Sequence, residues 1–77
     1  MKYKPREAQF CWSSLQSDLD VLRKHYKLSW LGMAQRMGVQ QAVFIRMGTG
    51  DGVSVDTLVR VLRWSHLKFE DYVLVSA

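Results

Sequence analysis

Apolar positions recur at helical spacing through most of the chain, and the longest such run comes first. The spacing predicts a helix over residues 14–27, capped by Ser13 or Ser14. Asp18 near its start and Lys24 near its end suit the helix dipole. Positions four, three and four residues apart form the expected inner face: Leu15, Leu19, Leu22 and Tyr26.

Two shorter helices are predicted next, separated by a glycine. Ser29 is the expected N-cap of the second helix, and Gly38 supplies the left-handed residue that ends it. The third helix is predicted over residues 40–47, with Phe44 and Met47 facing inward. The apolar stripe of the second helix consists of Trp30, Met33, Ala34 and Met37.

The last third of the chain opens with a glycine-rich loop and continues as a fourth helix. Ser54 is expected to cap this helix, which extends to about Trp64. Val53 and Leu58 are placed to form a hydrophobic staple around the cap. The expected inner face consists of Leu58, Val61 and Leu62.

Strand structure is the alternative at two places in this last third. Asp51-Gly52 between apolar runs is a hairpin signal, but residues 49–52 form a longer loop than a two-residue turn, and the spacing that follows is helical. Helix is therefore favoured there. The run KFEDYV predicts a short final turn of helix, and YVLVSA is apolar enough to add a strand or to join two subunits.

These patterns predict an all-α fold, a compact bundle of four to five short helices with a possible short strand or extended arm at a terminus. Seventy-seven residues allow one domain, which we assign to residues 13–77, preceded by an N-terminal arm over residues 1–12. The arm is either frayed or lies along a DNA minor groove. Its basic residues are Lys2, Lys4 and Arg6.

The net charge of +4 is compatible with nucleic-acid binding but is shared by many other proteins. Its distribution is more informative. Residues 28–50 contain two basic and no acidic side chains, whereas residues 51–77 contain three basic and four acidic ones. A surface without carboxylates favours the approach of a phosphate backbone, so the middle of the chain is the candidate binding region.

Two short helices joined by GVQ have the geometry of a helix-turn-helix, here over residues 29–47. The run LSWLGMAQRMGVQQAVFIRMGTG followed by VSVDTLVRVLRW resembles the Cro/cI-type (XRE-family) helix-turn-helix domain of phage repressors and small bacterial regulators. The resemblance covers residues 15–73 and implies a lambda-repressor-like fold. The matching positions are the small residue Ala34, the glycines Gly38 and Gly50, the apolar residues Val39, Phe44 and Met47, and Ser54 and Leu58 at the start of the fourth helix.

The resemblance implies that the third helix enters the major groove of double-stranded operator DNA. The implied base-reading residues are Gln40, Gln41, Ala42, Ile45 and Arg46. Their chemistry agrees, because glutamine amides pair with adenine, arginine pairs with guanine, and apolar side chains contact thymine methyl groups. The expected phosphate contacts are Ser29, Trp30, Arg36 and Thr49.

The resemblance favours a sequence-specific transcriptional regulator, Cro-like or repressor-like, of phage or mobile-element origin and with a weak homodimer as its expected state. Trp30 stands where the family commonly has glutamine, and Gly48 stands where it commonly has glutamate. Val43 and Ile45 also make the outward face of the third helix more apolar. These departures motivate an alternative, a helix-turn-helix scaffold that binds protein as an antirepressor or antitoxin-like partner.

Other chemistry has little support in the sequence. Cys11, His25 and His66 are isolated from one another, so they offer neither metal-ligand spacing nor a nucleophile–base pair. We therefore expect no enzymatic activity, no metal or other cofactor, and no small-molecule ligand. A lone thiol and the lack of a long apolar run predict a cytoplasmic protein without a membrane partner.

Overall fold

The computed structural model describes residues 8–75. In this part of the chain, four α-helices are flanked by two short strands, which confirms the predicted all-α bundle and adds a small sheet. The elements are β1 (Ala8–Phe10), α1 (Trp12–His25), α2 (Trp30–Met37), α3 (Ala42–Gly48), α4 (Val55–Ser65), a 3-10 turn (Phe69–Tyr72) and β2 (Val73–Val75).

The hydrophobic core lies between two helix pairs, because α1 packs against α3 and α2 packs against α4. The apolar stripes predicted for α2 and α3 supply half of its buried residues, which confirms those inner faces. Burying a large apolar side chain contributes about 1.5–3 kcal/mol. The buried residues are Leu15, Leu19, Met33, Ala34, Met37, Phe44, Met47, Leu58, Val61 and Tyr72.

Tyr26 departs from the predicted inner face of α1. The helix ends at His25, and the Tyr26 side chain is 57% exposed. Its ring meets the edge of the Trp64 ring, with the centroids 5.7 Å apart. The placement of Tyr26 in the core was wrong because Lys27 adopts a left-handed conformation, with φ 56°, and α1 ends two residues before its predicted end, so Tyr26 lies at the C-cap and not within the helix.

The start of α1 also differs from the prediction. The helix begins at Trp12, and neither Ser13 nor Ser14 caps it; the N-cap position is Cys11, which has no side-chain cap bond. The Cys11 backbone N–H donates instead to the carbonyl of Tyr72 at 2.6 Å. Pairing with the distant C-terminal segment thus sets the start of α1, and the local capping signal was misleading.

The C-terminal run forms strand β2, which confirms one of its two predicted roles. It lies antiparallel to β1, a strand within the segment that the sequence assigned to an arm. The basic residues Lys2, Lys4 and Arg6 lie outside the described residues. The register pairs Ala8 with Val75, Gln9 with Leu74 and Phe10 with Val73.

Three helices end in the same left-handed turn, a Schellman motif, in which the residue after the turn donates its N–H to a carbonyl five positions back. Gly38 ends α2 with φ 75°, and Gly50 follows α3 with φ 86°. The turn after α3 removes the hairpin alternative around Asp51. The three bonds are Leu28–Arg23 at 2.9 Å, Val39–Ala34 at 3.0 Å and Asp51–Arg46 at 2.8 Å.

The helix starts of α2 and α4 follow the prediction. The Ser29 hydroxyl accepts the Gly32 N–H at 3.0 Å, and the Ser54 hydroxyl accepts the Thr57 N–H at 3.2 Å. Such a side-chain cap stabilises a helix by about 1 kcal/mol relative to alanine. Val53, one half of the predicted staple, packs against the core beside the cap.

Tyr72 anchors the C-terminal segment to α1. Its ring is buried, and its hydroxyl donates to Oδ2 of Asp18 at 2.6 Å. Burial, with the Asp18 carboxylate as a second cause, raises the pKa of the Tyr72 phenol well above its usual value of about 10. The folded protein therefore retains a proton that the unfolded chain releases in alkali.

The turn between α2 and α3 can be tested with a pair of glycine substitutions. Gly38→Ala should lower the free energy of unfolding by about 1–2 kcal/mol, since an L-residue is strained at this left-handed position. Gly48→Ala is the matched control: its new Cβ meets Gln16 Nε2 at 3.5 Å, an ordinary contact. It should be neutral or stabilising by up to about 1 kcal/mol, which urea unfolding measures. Equal losses of unfolding free energy in both variants would contradict the left-handed conformation of Gly38.

The tyrosine anchor predicts a pH dependence. The free energy of unfolding should fall as the pH rises above about 10, because only the unfolded chain then loses the Tyr72 proton. Tyr72→Phe should remove this part of the alkaline loss and cost about 1–2 kcal/mol at neutral pH, where the hydrogen bond to Asp18 is missing. Urea unfolding of both proteins at neutral pH and at about pH 11 measures the difference. The same alkaline loss in both proteins would show that Tyr72 titrates normally.

Candidate nucleic-acid interface

Helix α3 has one buried and one exposed face. Phe44 and Met47 are 2% and 0% exposed, whereas Ile45 is 68% exposed. Ala42 and Arg46 lie on the same exposed side. The structure therefore brings three of the five predicted base-reading side chains together on the solvent face of α3.

Gln40 and Gln41 precede α3 rather than belonging to it. The helix begins at Ala42, so the predicted start at residue 40 was two residues early. Gln41 occupies the N-cap position in a helical conformation, and its side chain forms no cap bond. The backbone carbonyls of both glutamines accept N–H bonds from the first turn of α3, at 3.1 and 3.2 Å. Both side chains are exposed at the end of the helix, beside Ala42.

The start of α2 is fixed by aromatic packing onto α3. The Trp30 ring lies 4.9 Å from the Phe44 ring, and the Arg23 guanidinium carbon lies 4.9 Å from the Trp30 ring centroid. The carboxylate of Asp20 lies within 2.7 Å of Arg23 and 3.1 Å of Lys24. These two bonds lower the pKa of Asp20. Two cations of α1 share one carboxylate, so this cluster beside Trp30 keeps a net positive charge.

Two shallow hollows flank α3. One, of about 290 Å³, lies between α3 and the start of α4, where Gln40 and Arg46 face Ser54 and Thr57. The other, of about 170 Å³, lies on the opposite flank and is lined by Gln16, Trp30, Gln41, Phe44 and Ile45. The exposed face of α3 is thus a ridge between two depressions, a shape suited to insertion into a groove.

Thr49 is engaged within its own loop. Its hydroxyl donates to the carbonyl of Arg46 at 3.0 Å and lies 3.2 Å from Oδ2 of Asp51. A phosphate at this position would meet the Asp51 carboxylate. Among the residues predicted to contact phosphate, Thr49 is therefore in the least favourable electrostatic environment.

Arg36 lies away from the solvent face of α3, in a groove of about 530 Å³ between α2 and α4. We call this the α2–α4 groove. The guanidinium of Arg60 donates to the carbonyl of Gly38 at 2.8 Å beside it. Sequence reasoning missed the contribution of α4, although the spacing of Arg60 and Arg63 places them one helical turn apart. The lining residues are Arg36, Met37, Arg60, Arg63, Trp64 and His66.

Other kinds of site are not assembled among the residues described. Within residues 8–75, histidine, cysteine and carboxylate side chains do not gather in groups of three or more suited to a metal ion. Over the same range, each helix is too short or too polar to cross a bilayer.

No family model matches the sequence, and no curated protein matches it. Among solved structures, the chain is similar to the crystal structure of the transcriptional regulator VanUg, Form II. The TM-score is 0.54 at 14% sequence identity, and the match covers 99% of this chain and 93% of that chain. The likeness shows a shared fold that extends over nearly the whole of both chains.

The two faces of α3 can be distinguished by stability measurements. Ile45→Ser should change the free energy of unfolding by less than about 0.5 kcal/mol, because the side chain is mostly exposed. Phe44→Ala, one position away, should cost about 3–5 kcal/mol through loss of a buried ring. Urea unfolding measures both variants. A loss above about 2 kcal/mol for Ile45→Ser would place that residue in the interior.

Proposed function

We propose that this protein is a sequence-specific DNA-binding transcriptional regulator that inserts α3 into the major groove of operator DNA. The observation that carries the proposal is an exposed ridge formed by Gln41, just before α3, and by Ile45 and Arg46 of α3, above the buried Phe44 and Met47. An α-helix fits the major groove, and a ridge of amide, guanidinium and apolar groups matches base edges there. The absence of acidic residues from 28–50 removes repulsion by the phosphates.

Each exposed side chain has a distinct role in this proposal. Gln40 and Gln41 pair with adenine, and Arg46 pairs with guanine O6 and N7. Ala42 and Ile45 contact thymine methyl groups. A good bidentate pair contributes about 1–3 kcal/mol of discrimination against the wrong base, so a few such contacts define a half-site.

Phosphate contacts position the helix in the groove. Ser29 and the first backbone N–H groups of α2 bind one phosphate at the helix start, where the dipole favours an anion. Trp30 donates its indole N–H nearby while its ring remains packed on Phe44. Arg36 reaches a phosphate flanking the site. Thr49 contributes only when its hydroxyl turns away from Asp51.

The family resemblance supports the proposed biological setting, and the fold shared with VanUg is compatible with it. The protein acts without enzymatic activity in the cytoplasm of a bacterial host cell, as a Cro-like or repressor-like switch of phage or mobile-element origin. It regulates by occupying an operator and excluding polymerase.

A weak homodimer completes the proposed complex. Two recognition helices spanning half-sites about 34 Å apart, one turn of DNA, bind more tightly and specifically than one. Leu74 of β2 is 59% exposed at the edge of the small sheet, and this strand is the proposed contact between subunits. The subunits assemble on the operator.

The competing function is a protein-binding module. The hollow in which exposed Ile45 lies beside half-buried Trp30 favours it, since exposed apolar surface of this kind is typical of protein interfaces. In that case the protein would bind DNA only weakly, at low salt and without sequence preference.

Selection of duplexes from a random pool, followed by fluorescence anisotropy on the selected site, tests the function. Gln41→Ala and Arg46→Ala should each reduce the affinity ratio between selected and scrambled duplexes by about 5- to 150-fold. Ser29→Ala and Arg36→Ala should weaken both duplexes alike, and Arg36→Ala should also flatten the dependence of affinity on salt.

Lys68→Ala is the matched control for Arg46→Ala. It removes one exposed positive charge just before the 3-10 turn, away from α3, and should leave the affinity ratio unchanged. If Gln41→Ala and Arg46→Ala bind the selected duplex as tightly as the wild type, the base-reading assignment is wrong. A pool from which no sequence is enriched favours the protein-binding module.

A further inference from the structure

The α2–α4 groove is separate from the ridge of α3. None of its lining residues belongs to α3, and it follows the C-terminal half of α4, whereas the hollow beside α3 follows the N-terminal half. Arg36 lines it from α2, and Arg60 and Arg63 line it from α4. Buried Met37 and half-buried Trp64 add apolar surface between these cations.

The cations of the groove form no ion pair with the carboxylates of the described residues. Within residues 8–75 the ion pairs shorter than 4 Å involve Asp20 alone, so no carboxylate there pairs with Arg36, Arg60 or Arg63. Asp56 lies four residues before Arg60 on α4, a spacing that permits an ion pair, yet it forms none. Three exposed guanidiniums line one groove, so an anion bound there would be attracted by all three.

His66 lies at the end of the same groove. It is the C-cap of α4 and has φ 61° in the left-handed region, as Lys27 does after α1. Helices commonly end in this conformation. His66 therefore closes α4 and also lines the groove.

We propose that the α2–α4 groove binds an acidic segment of a partner protein, in which aspartate or glutamate carboxylates pair with Arg60 and Arg63 while an apolar side chain covers Trp64 and Met37. Arginine pairs with carboxylates through two parallel N–H···O bonds. The bond from Arg60 to the Gly38 carbonyl holds that guanidinium in place and reduces the entropy lost on binding. The apolar surface favours a peptide over the phosphate backbone of DNA, which has no side chain to bury there.

Fluorescence anisotropy with a labelled decapeptide of eight glutamates around a central Leu-Leu pair tests this site on the full chain. The same peptide with glutamine in place of glutamate is the neutral control, and it should bind at least about tenfold more weakly. Arg60→Ser and Arg63→Ser should each weaken binding of the acidic peptide about five- to tenfold. Since Arg60 also supports the turn at Gly38, Arg63→Ser keeps the test valid if Arg60→Ser fails to fold.

Lys68→Ser is the matched charge control, because it removes one exposed cation that is not part of the groove. It should retain the affinity for the acidic peptide within about twofold. Equal binding of both peptides, or the same loss in Lys68→Ser as in Arg63→Ser, overturns the proposal. If Arg63→Ser lowers affinity for random DNA as much as affinity for the peptide, the groove contacts phosphates and the acidic-segment assignment is wrong.

Discussion

The burial of Phe44 and Met47 against Leu15 and Leu19 of α1 determines how the rest of the surface is arranged. A helix of seven residues has too few hydrogen bonds to be stable alone, so its orientation depends on this contact. With Phe44 and Met47 inward, the helical period of 3.6 residues turns Ala42, Ile45 and Arg46 outward. The exposed face of α3 is therefore a geometric consequence of how the helix packs in the core.

The turn at Gly38 connects this core to the two proposed binding surfaces. Its left-handed conformation directs the chain from α2 into the glutamines that precede α3. Its carbonyl accepts a hydrogen bond from Arg60, which belongs to the α2–α4 groove. The groove and the start of α3 are therefore joined through the same turn.

Much of the fold could be predicted because its determinants are local. The cap at Ser29, the turn at Gly38 and the apolar stripes of α2 and α3 each depend on residues within one or two helical turns. The start of α1 could not be predicted, since it depends on a bond to Tyr72, sixty-one positions along the chain. The α2–α4 groove was missed for the same reason, because Arg36 of α2 lies near Arg60 and Arg63 of α4 only in the folded chain. The exposed face of α3 was expected from its period, whereas the displacement of Gln40 and Gln41 out of the helix required the geometry of the turn.

The most direct test of the account is an amide chemical-shift titration of the ¹⁵N-labelled protein with a duplex selected from a random pool. The account predicts that the largest changes fall on residues 40–46 and on the start of α2 at residues 29–32, with little change along the C-terminal half of α4. Intermolecular contacts from the Ile45 methyl groups to thymine methyl groups would identify the face of α3 that enters the groove. Changes concentrated on residues 60–66, with α3 unaffected, would contradict the claim that α3 reads the DNA.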